Sequence, residues 1–209
     1  MLKIRCSQLG CIMTNGRGEG ALSVGAKTYI EDLAKQHVYG YTKTVSTKEM
    51  QKGVIVESQS IDLLNAVTFN NYTKNAERFE NDWIGGTPDI VSGQIIDIKS
   101  SWSLNTFPAT RADAVNAAYE WQVRGYMMLT NRIYATVAHC LVDTPDELIG
   151  YEDESAHRVS HINPLLRITQ VEYTRAAELE DKIKQKVEAA QEYFDYAVRL
   201  IETEHEIAA

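Results

Sequence analysis

Apolar residues that recur every three or four positions predict four long helices. They are expected at residues 22–36, 46–69 and 112–130, with a long final helix from residue 174 onward. Ser46 and Glu49 form a capping box at the start of the second helix, where each side chain satisfies a free amide of the first turn. Thr144 and Glu147 form another, with Pro145 at the first helical position, and predict a further short helix.

Runs of β-branched and aromatic residues predict five strands. They are expected at residues 78–84, 89–92, 94–100, 132–142 and 165–172. Ser92-Gly93 lies between the second and third strands and predicts a tight hairpin. Because helices bracket these strands, we expect an α/β fold with a mixed sheet. No repeat or linker divides the chain, so residues 1–209 are predicted to form a single domain.

The composition is that of a globular protein. Of 209 residues, 44% are hydrophobic and 24% are charged, which excludes a largely disordered chain. No run approaches the ~18 apolar residues of a membrane span, and the first residues lack the apolar segment of a secretory signal. We therefore expect a cytoplasmic location. The three cysteines, Cys6, Cys11 and Cys140, match neither a disulfide framework nor a zinc site.

Charge is distributed unevenly along the chain. The formal net charge is -8, yet residues 1–53 contain eight Lys or Arg against four Asp or Glu. A basic N-terminal segment suits contact with phosphates, while the acidic remainder keeps the chain soluble. The alternative is an uneven scatter of charge without functional meaning.

Asp97 and Lys99 lie two positions apart on a predicted strand, so their side chains point to the same face. Ile96 and Ile98 point to the other face. Asp89 follows Pro88 at the start of the preceding strand, and the Ser92-Gly93 hairpin brings it opposite Asp97. Two carboxylates this close are unfavourable unless a cation lies between them. The alternative interpretation is an ordinary half-solvated strand.

Glu57 falls on an apolar stripe of the second predicted helix. Met50, Val54, Ile61 and Leu64 form this stripe, and Glu57 follows Val54 by three positions. A buried carboxylate needs a strong partner, because an unpaired one costs several kcal/mol. The alternative is a side chain that reaches solvent from the edge of the stripe.

These carboxylates suit hydrolysis of phosphodiester bonds with the help of a divalent metal. The carboxylates of Glu57, Asp89 and Asp97, with the backbone carbonyl of Ile98, are the hard oxygen ligands that Mg²⁺ or Mn²⁺ prefers. Lys99 would orient the attacking water and stabilise the transition state. Gln122 and Tyr126 are four residues apart on the third predicted helix and point inward beside apolar neighbours.

The same residues resemble the PD-(D/E)XK nuclease superfamily. Pro88-Asp89 is similar to the first half of its motif, and Asp97-Ile98-Lys99 is similar to the second. Together with Glu57 and with Gln122 and Tyr126, the set resembles the RecB-like and phage lambda-type (YqaJ-like) exonucleases. The resemblance covers residues 46–126 well.

The resemblance implies a restriction-endonuclease-like core of αβββαβ order, with a mixed central sheet flanked by helices. This core would span about residues 46–142, preceded by a DNA-gripping segment of residues 1–45 that contains an N-terminal helix. A C-terminal strand and long helix would occupy residues 165–205. The resemblance also implies a one-metal or two-metal site at Glu57, Asp89, Asp97 and the Ile98 carbonyl, with catalytic support from Lys99.

The resemblance further assigns contacts with DNA. Gln122 and Tyr126 would support the site and touch DNA, and Arg5 with Ser7 would receive a 5′-phosphate. Lys52 stands where many relatives have Arg and would contact a phosphate.

Trp102 lies directly after the predicted strand that carries Asp97 and Lys99. It would stack on a base or instead pack into the core. His157 and His161, four residues apart, are expected in a solvated loop.

The expected function is that of a Mg²⁺-dependent exonuclease that degrades linear double-stranded DNA from 5′ to 3′ in phage-type recombination. Mn²⁺ should substitute for Mg²⁺, and three cysteines are too few for an iron–sulfur cluster. The expected partners are DNA ends, a single-strand annealing protein and copies of the chain itself, arranged as a trimer, with no membrane. The alternatives are an endonuclease of the same superfamily, of restriction or junction-resolving type, and a non-catalytic DNA-binding module.

Overall fold

The computed structural model describes residues 2–18 and 21–205. Within these residues the chain forms eight α-helices: α1 Leu9–Met13, α2 Val24–Val38, α3 Lys48–Ile55, α4 Glu57–Thr68, α5 Arg111–Ala114, α6 Ala117–Thr130, α7 Asp146–Ile149 and α8 Ala177–Glu204. The same residues form seven strands: β1 Ile4–Arg5, β2 Phe79–Glu80, β3 Ile84–Gly86, β4 Ile90–Val91, β5 Ile95–Ser100, β6 Tyr134–Cys140 and β7 Ile168–Thr174. No described helix is long and apolar enough to cross a membrane.

The strands are arranged in two sheets. The larger has the order β4-β5-β6-β7, in which β5 and β6 are parallel and the two outer strands are antiparallel to their neighbours. The smaller has the order β1-β3-β2 and pairs the N-terminal strand with the segment that leads into Asp89. The mixed sheets and their helical cover confirm the predicted α/β class.

Two apolar cores cover the two faces of the larger sheet. Ile96 and Ile98 of β5 pack with α4, whereas Ile95 packs with α6 and α8. Since side chains alternate along a strand, Asp97 and Lys99 point to the face that α6 covers. The predicted alternation is thus confirmed, but helices cover both faces and neither is half-solvated.

The long helix α8 packs on the domain's own core. Its residues Ile183, Val187 and Ala190 are buried in the same cluster as Ile30 of α2. Ser23 caps α2 by accepting a hydrogen bond from the Ala26 amide at 3.1 Å. The apolar spacing of both helices was therefore a correct guide to their buried faces.

The second predicted helix, residues 46–69, is two helices in the structure. The helical path breaks at Val56, whose φ of -102° and ψ of 10° end α3 and begin α4. The capping residue is Thr47, whose hydroxyl accepts from the Met50 amide at 3.3 Å. Ser46 instead accepts a hydrogen bond from Gln51, so the predicted capping box of Ser46 is wrong by one residue.

Other predicted boundaries shift for local reasons. Asn116 accepts from two amides of the first turn of α6 and divides the predicted helix 112–130 into α5 and α6. Asn81 accepts from the amides of Trp83 and Ile84 in a turn that splits the predicted strand 78–84 into β2 and β3. Thr144 donates its hydroxyl to the Trp102 carbonyl, so it does not cap α7 as predicted.

Candidate active site

Asp97 occupies the middle of the site and is only 1% exposed. Its Oδ1 accepts a hydrogen bond from Gln122 Nε2 at 2.9 Å, and its Oδ2 lies 2.8 Å from Lys99 Nζ. The contact with Lys99 is a close ion pair, so both oxygens of Asp97 have a partner among the described residues. Gln122 and Lys99 together hold the carboxylate in place.

Asp89 lies across the hairpin from Asp97. The pairing of Ile90 with Ile96 sets this register, and Asp89 Oδ2 accepts from the Ile98 amide at 2.7 Å. Burial, followed by repulsion from Asp97, raises the pKa of Asp89 to about 7. The two carboxylates predicted to meet at one end of the hairpin do so.

Gln122 joins the strand residues to α6. Its Nε2 donates to Asp97 and to the Tyr126 hydroxyl, at 2.9 and 3.1 Å, while its Oε1 accepts from Lys99 Nζ at 3.0 Å. Such a set of contacts fixes the rotamer of Gln122 and, through it, the positions of Asp97 and Lys99. Tyr126 is buried behind Gln122, and burial raises the pKa of its hydroxyl.

A close approach of the N-terminal segment supports α6 at this point. A Cβ on Gly86 would lie 2.7 Å from the Tyr126 ring, and one on Gly125 would lie 2.7 Å from Leu9. A larger residue at either position would force a neighbouring side chain to shift where β3 and α1 pack on α6. This packing holds the helix face that carries Gln122 and Tyr126 against the site.

Lys99 is the cation of the site. Its ammonium lies between Asp97 and Gln122 and 4.5 Å from the centre of the Tyr119 ring. Burial alone would lower the pKa of Lys99, but the negative charges of Asp97 and Asp89 outweigh this effect and raise it. Lys99 is therefore protonated at neutral pH and cannot act as a base.

Glu57 begins α4 at the edge of the same cleft. Its side chain is 17% exposed, and its Oε2 lies 2.5 Å from Nζ of Lys74. A cavity of about 300 Å³ is lined by Glu57, Asp89, Asp97, Lys99 and Gln122. The structure therefore brings together the six predicted catalytic residues, since Tyr126 bonds to Gln122.

The stripe used to place Glu57 is wrong in its first half. Met50 and Val54 are exposed, Val54 by 77%, and both line the cleft. Because the chain breaks at Val56, α3 and α4 do not share one continuous buried face. Lys52 and Val56 are the inward residues of this region, whereas Ile61 and Leu64 are buried as predicted.

The donor set suits a divalent cation. The carboxyl groups of Asp97, Asp89 and Glu57 line one cleft and are hard oxygen donors. Among the described residues, however, no three Asp, Glu, His or Cys side chains are grouped as a ready metal cage. Glu57 is paired with Lys74 and Asp89 with the Ile98 amide. Asp89, Asp97 and the Ile98 carbonyl form the strand-borne part of the candidate set, which Glu57 would complete by leaving Lys74.

Lys52 does not contact solvent, so its predicted role in phosphate binding is wrong. It is 0% exposed, and its Nζ donates to the carbonyls of Ser101, Trp102 and Val142 at 2.7, 2.9 and 2.9 Å. Burial lowers the pKa of Lys52 to about 8. Lys52 instead ties α3 to the chain segments that leave β5 and β6.

Trp102 packs into the core, which was one of its two predicted roles, and its contact with DNA stays a prediction. Its Nε1 donates to Glu152 at 2.9 Å, and its ring meets that of His157 edge-on at 5.1 Å. His157 is buried and hydrogen-bonded to Thr144, so the solvated loop predicted for it is also wrong. His161 is exposed, as expected.

Arg5 and Ser7 are exposed near the start of the chain. Arg5 pairs across the small sheet with Gly85, four positions before Asp89. Ser7 lies in the 3₁₀ turn Cys6–Gln8 that packs on α6. Their role as a phosphate site stays a prediction.

Three residues near the site have no counterpart in the sequence argument. Lys74 pairs with Glu57, while Tyr119 and His139 lie beside Lys99. Tyr119 is one of the apolar neighbours of Gln122 on α6, and no sequence pattern places it next to Lys99. His139 lies opposite Lys99 where β5 and β6 pair in parallel. No local sequence pattern reveals this register.

The whole fold has a solved relative. The chain matches a phage-related exonuclease from Haemophilus somnus 129PT with 34% identity and a TM-score of 0.91, over 96% of each chain. The chain belongs to the family of phage-related exonucleases. The predicted resemblance to RecB-like and lambda-type exonucleases is thereby confirmed, and so is the nuclease fold.

A more distant structure shares the fold of this phage-related exonuclease. The alkaline exonuclease LHK-Exo from Laribacter hongkongensis is 14% identical, with a TM-score of 0.71 over 99% of this chain and 95% of that one. The same enzyme in complex with dAMP gives 15% identity and a TM-score of 0.70. No protein-family model and no curated protein matches the chain.

Proposed function

We propose that this protein is a metal-dependent DNA exonuclease that hydrolyses phosphodiester bonds of linear duplex DNA from 5′ ends, in the cytoplasm of a bacterial host. The observation that carries the proposal is the cluster of Asp89, Asp97 and Lys99 around Gln122, in a member of an exonuclease family. An ammonium beside two acidic oxygen donors is an arrangement suited to binding both a cation and a phosphate.

Mg²⁺ is the proposed cofactor, with Mn²⁺ as a substitute. Asp89, Asp97, Glu57 and the Ile98 carbonyl would hold it, since all are hard oxygen ligands. When bound, the metal would lower the pKa of a coordinated water and neutralise charge on the scissile phosphate. The three cysteines are free, and Cys6 and Cys140 are buried in the apolar cores.

Lys99 and Gln122 are the residues of the chain itself that we propose assist the reaction. Lys99 is protonated and its side chain is mostly buried in the cleft, where its charge would stabilise the negative charge that develops on the phosphate. Gln122 holds Lys99 and Asp97 in one arrangement, so neither must reorganise during the reaction. Tyr126 in turn fixes Gln122.

The polarity of digestion is proposed from the N-terminal segment. Arg5 and Ser7 are exposed and offer guanidinium and hydroxyl donors that suit a terminal 5′-phosphate. A duplex with 5′-phosphate ends should then be digested faster than one with 5′-hydroxyl ends, and Arg5→Ala should reduce this difference. Equal rates on both kinds of end would remove Arg5 and Ser7 from the proposed site.

The proposed partners fit resection of DNA ends in phage-type recombination. Digestion from 5′ ends leaves a 3′ single strand, which a single-strand annealing protein would bind. We propose a trimer as the assembly, as the resemblance to lambda-type exonucleases implies. Light scattering measured across a concentration series tests the assembly separately from the activity.

The test of the function compares two forms of one plasmid. The covalently closed circle and the same plasmid cut once are incubated with the protein, in Mg²⁺ and in EDTA. The proposal expects progressive loss of the linear form in Mg²⁺, with the circle intact and neither form degraded in EDTA. Cleavage of the circle would indicate an endonuclease, and binding of both forms without degradation would indicate a non-catalytic module.

A further inference from the structure

Two side chains of α6 meet the ammonium of Lys99. Gln122 Oε1 accepts a hydrogen bond from Lys99 Nζ at 3.0 Å, and the centre of the Tyr119 ring lies 4.5 Å from the same nitrogen. Tyr119 precedes Gln122 by three positions, so both side chains lie on one face of the helix. The proposed reaction assigns a role to Gln122 and none to Tyr119.

The contact between the Lys99 ammonium and the Tyr119 ring is attractive. The face of an aromatic ring carries partial negative charge, and it attracts a cation within about 6 Å of its centre more strongly where water is excluded. The Lys99 side chain is only 23% exposed. The ring is therefore a third partner of the ammonium, beside Asp97 and Gln122.

The Tyr119 ring is held from the side of the sheet and through its own helix. His139 of β6 lies opposite Lys99 in the parallel pairing, and its ring centre is 5.9 Å from that of Tyr119. Asn116 caps α6, and its Oδ1 accepts a hydrogen bond from the Tyr119 amide at 3.3 Å. The position of the ring is thus set by the first turn of α6 and by β6, and not by Lys99 alone.

An open hollow beside Lys99 gives a third partner its importance. The hollow measures about 530 Å³ and is lined by Lys99 and Tyr119, whereas Asp97 and Gln122 line the carboxylate cleft. A lysine has a flexible stem of four carbons, so its ammonium can turn towards any open space beside it. Asp97 and Gln122 hold the ammonium from the cleft, and Tyr119 contacts it from the side of the hollow.

We propose that Tyr119 is a positioning residue for Lys99, whose ammonium the ring holds at the carboxylate cleft by a cation–π contact and keeps from turning into the hollow. The inference rests on the proposed nuclease function, in which Lys99 stabilises negative charge on the phosphate. Such stabilisation depends on a charge that is already in place when the reaction begins. The ring and not the hydroxyl has this role, so phenylalanine should replace Tyr119 and a residue without a ring should not.

The test measures cleavage of linear duplex in Mg²⁺ with the protein in excess over DNA ends, so that the rate reports the chemical step. Tyr119→Leu should lower this rate by about fivefold or more, and should leave DNA affinity and calorimetric Mn²⁺ binding within about twofold of the wild type. Tyr119→Phe keeps the ring and should retain about half or more of the wild-type rate. Tyr196→Leu, at an exposed tyrosine of α8, should change none of the three quantities.

A double variant shows whether Tyr119 acts through Lys99. In the Lys99→Ala background, Tyr119→Leu should lower the residual rate by less than about twofold, because the ammonium that the ring holds is already gone. An equal loss in both backgrounds would mean that Tyr119 contacts DNA or supports the fold, and would overturn the inference. A wild-type rate in folded Tyr119→Leu would overturn it as well.

Two further controls separate the inference from folding and from the proposed function. Circular dichroism checks that Tyr119→Leu folds. If it does not, NMR of labelled lysine in the wild-type protein decides: the ring should shift the ε-methylene protons of Lys99 upfield, and unshifted protons would overturn the inference. Failure of the wild-type protein to digest linear duplex in Mg²⁺ would overturn the proposed function and the role of Tyr119 with it, whereas normal digestion by folded Tyr119→Leu would overturn the positioning role alone.

Discussion

Gln122 donates a hydrogen bond from its side-chain amide to Asp97, and the same side chain accepts one from Lys99. The contact joins α6 to β5 and links the carboxylate of Asp97 to the ammonium of Lys99 through one neutral residue. Because an amide presents a donor and an acceptor at once, it fits between a carboxylate and an ammonium as no charged side chain would. The two charged residues thus depend on a helix that is separate in sequence.

Gln122→Met tests this dependence. The substitution keeps the approximate size but removes both hydrogen bonds, so Asp97 and Lys99 lose their common anchor. We expect kcat on linear duplex to fall by about tenfold or more and the free energy of unfolding to fall by about 1–3 kcal/mol. Steady-state kinetics and urea unfolding measure the two effects. Gln185→Met, an exposed glutamine of α8, should change neither.

Substitution of Asp97 and of Lys99 should affect metal binding and kcat differently. Asp97→Ala deletes a proposed metal ligand and should abolish calorimetric binding of Mn²⁺. Lys99→Ala should leave Mn²⁺ binding nearly intact and lower kcat on the order of a hundredfold, because it removes charge from the transition state. If both variants bind Mn²⁺ equally well, Asp97 is not a ligand. Lys184→Ala on α8 serves as the control for a lost lysine.

Asp89 should give the metal-free protein a pH-dependent stability. Its pKa is raised to about 7, so the folded protein holds a proton that the unfolded chain has released between about pH 4 and 7. This group therefore destabilises the fold increasingly as pH rises through that window, fully so above pH 7. The melting temperature of Asp89→Asn in EDTA should exceed that of the wild type by more at pH 8 than at pH 5. A pH-independent difference would show that Asp89 titrates normally.

Lys74 should compete with a bound cation for Glu57. Their ion pair is exposed on the lysine side and contributes little to stability, about 0.2–1 kcal/mol. Lys74→Met should therefore tighten Mn²⁺ binding by up to about fivefold, whereas Glu57→Gln should weaken it and abolish cleavage without unfolding the protein. Calorimetry on both variants measures this. Weaker Mn²⁺ binding by Lys74→Met would mean that Lys74 supports the site rather than competes for it.

Lys52 is predicted to stabilise the fold without contributing to DNA binding. Lys52→Met leaves three buried carbonyls without a donor and should lower the free energy of unfolding by about 3 kcal/mol or more. The salt dependence of DNA binding, measured on the folded variant, should not change, because no phosphate contact is lost. The exposed neighbour Lys48→Met should leave stability unchanged. A reduced salt slope in Lys52→Met would restore the phosphate role.

The sequence was sufficient for those parts of the site that depend on local geometry. Strand alternation placed Asp97 and Lys99 on one face, and the Ser92-Gly93 hairpin placed Asp89 opposite Asp97. Helical spacing paired Gln122 with Tyr126. These relationships follow from periods of two and 3.6 residues, which are fixed by backbone geometry.

The features that the sequence did not predict depend on contacts between distant segments of the chain. In the sequence, Lys52 is an ordinary helix lysine. In the structure it is buried, because its Nζ donates to the distant carbonyls of Ser101 and Val142. Val56 fits a helical pattern, yet the chain breaks there, which exposes Met50 and Val54. Likewise, His139 lies beside Lys99 only through the parallel pairing of β5 with β6.

The central claim is that the cluster of Asp89, Asp97 and Lys99 degrades DNA from its ends with a bound metal. Its most direct measurement is the release of acid-soluble nucleotides from a uniformly labelled linear duplex by the wild-type protein, Asp97→Ala and the exposed-acid control Asp181→Ala. We expect steady release in Mg²⁺ by the wild type and the control, none in EDTA, and none by Asp97→Ala under either condition. Release by folded Asp97→Ala at the wild-type rate would show that this cluster is not the catalytic centre.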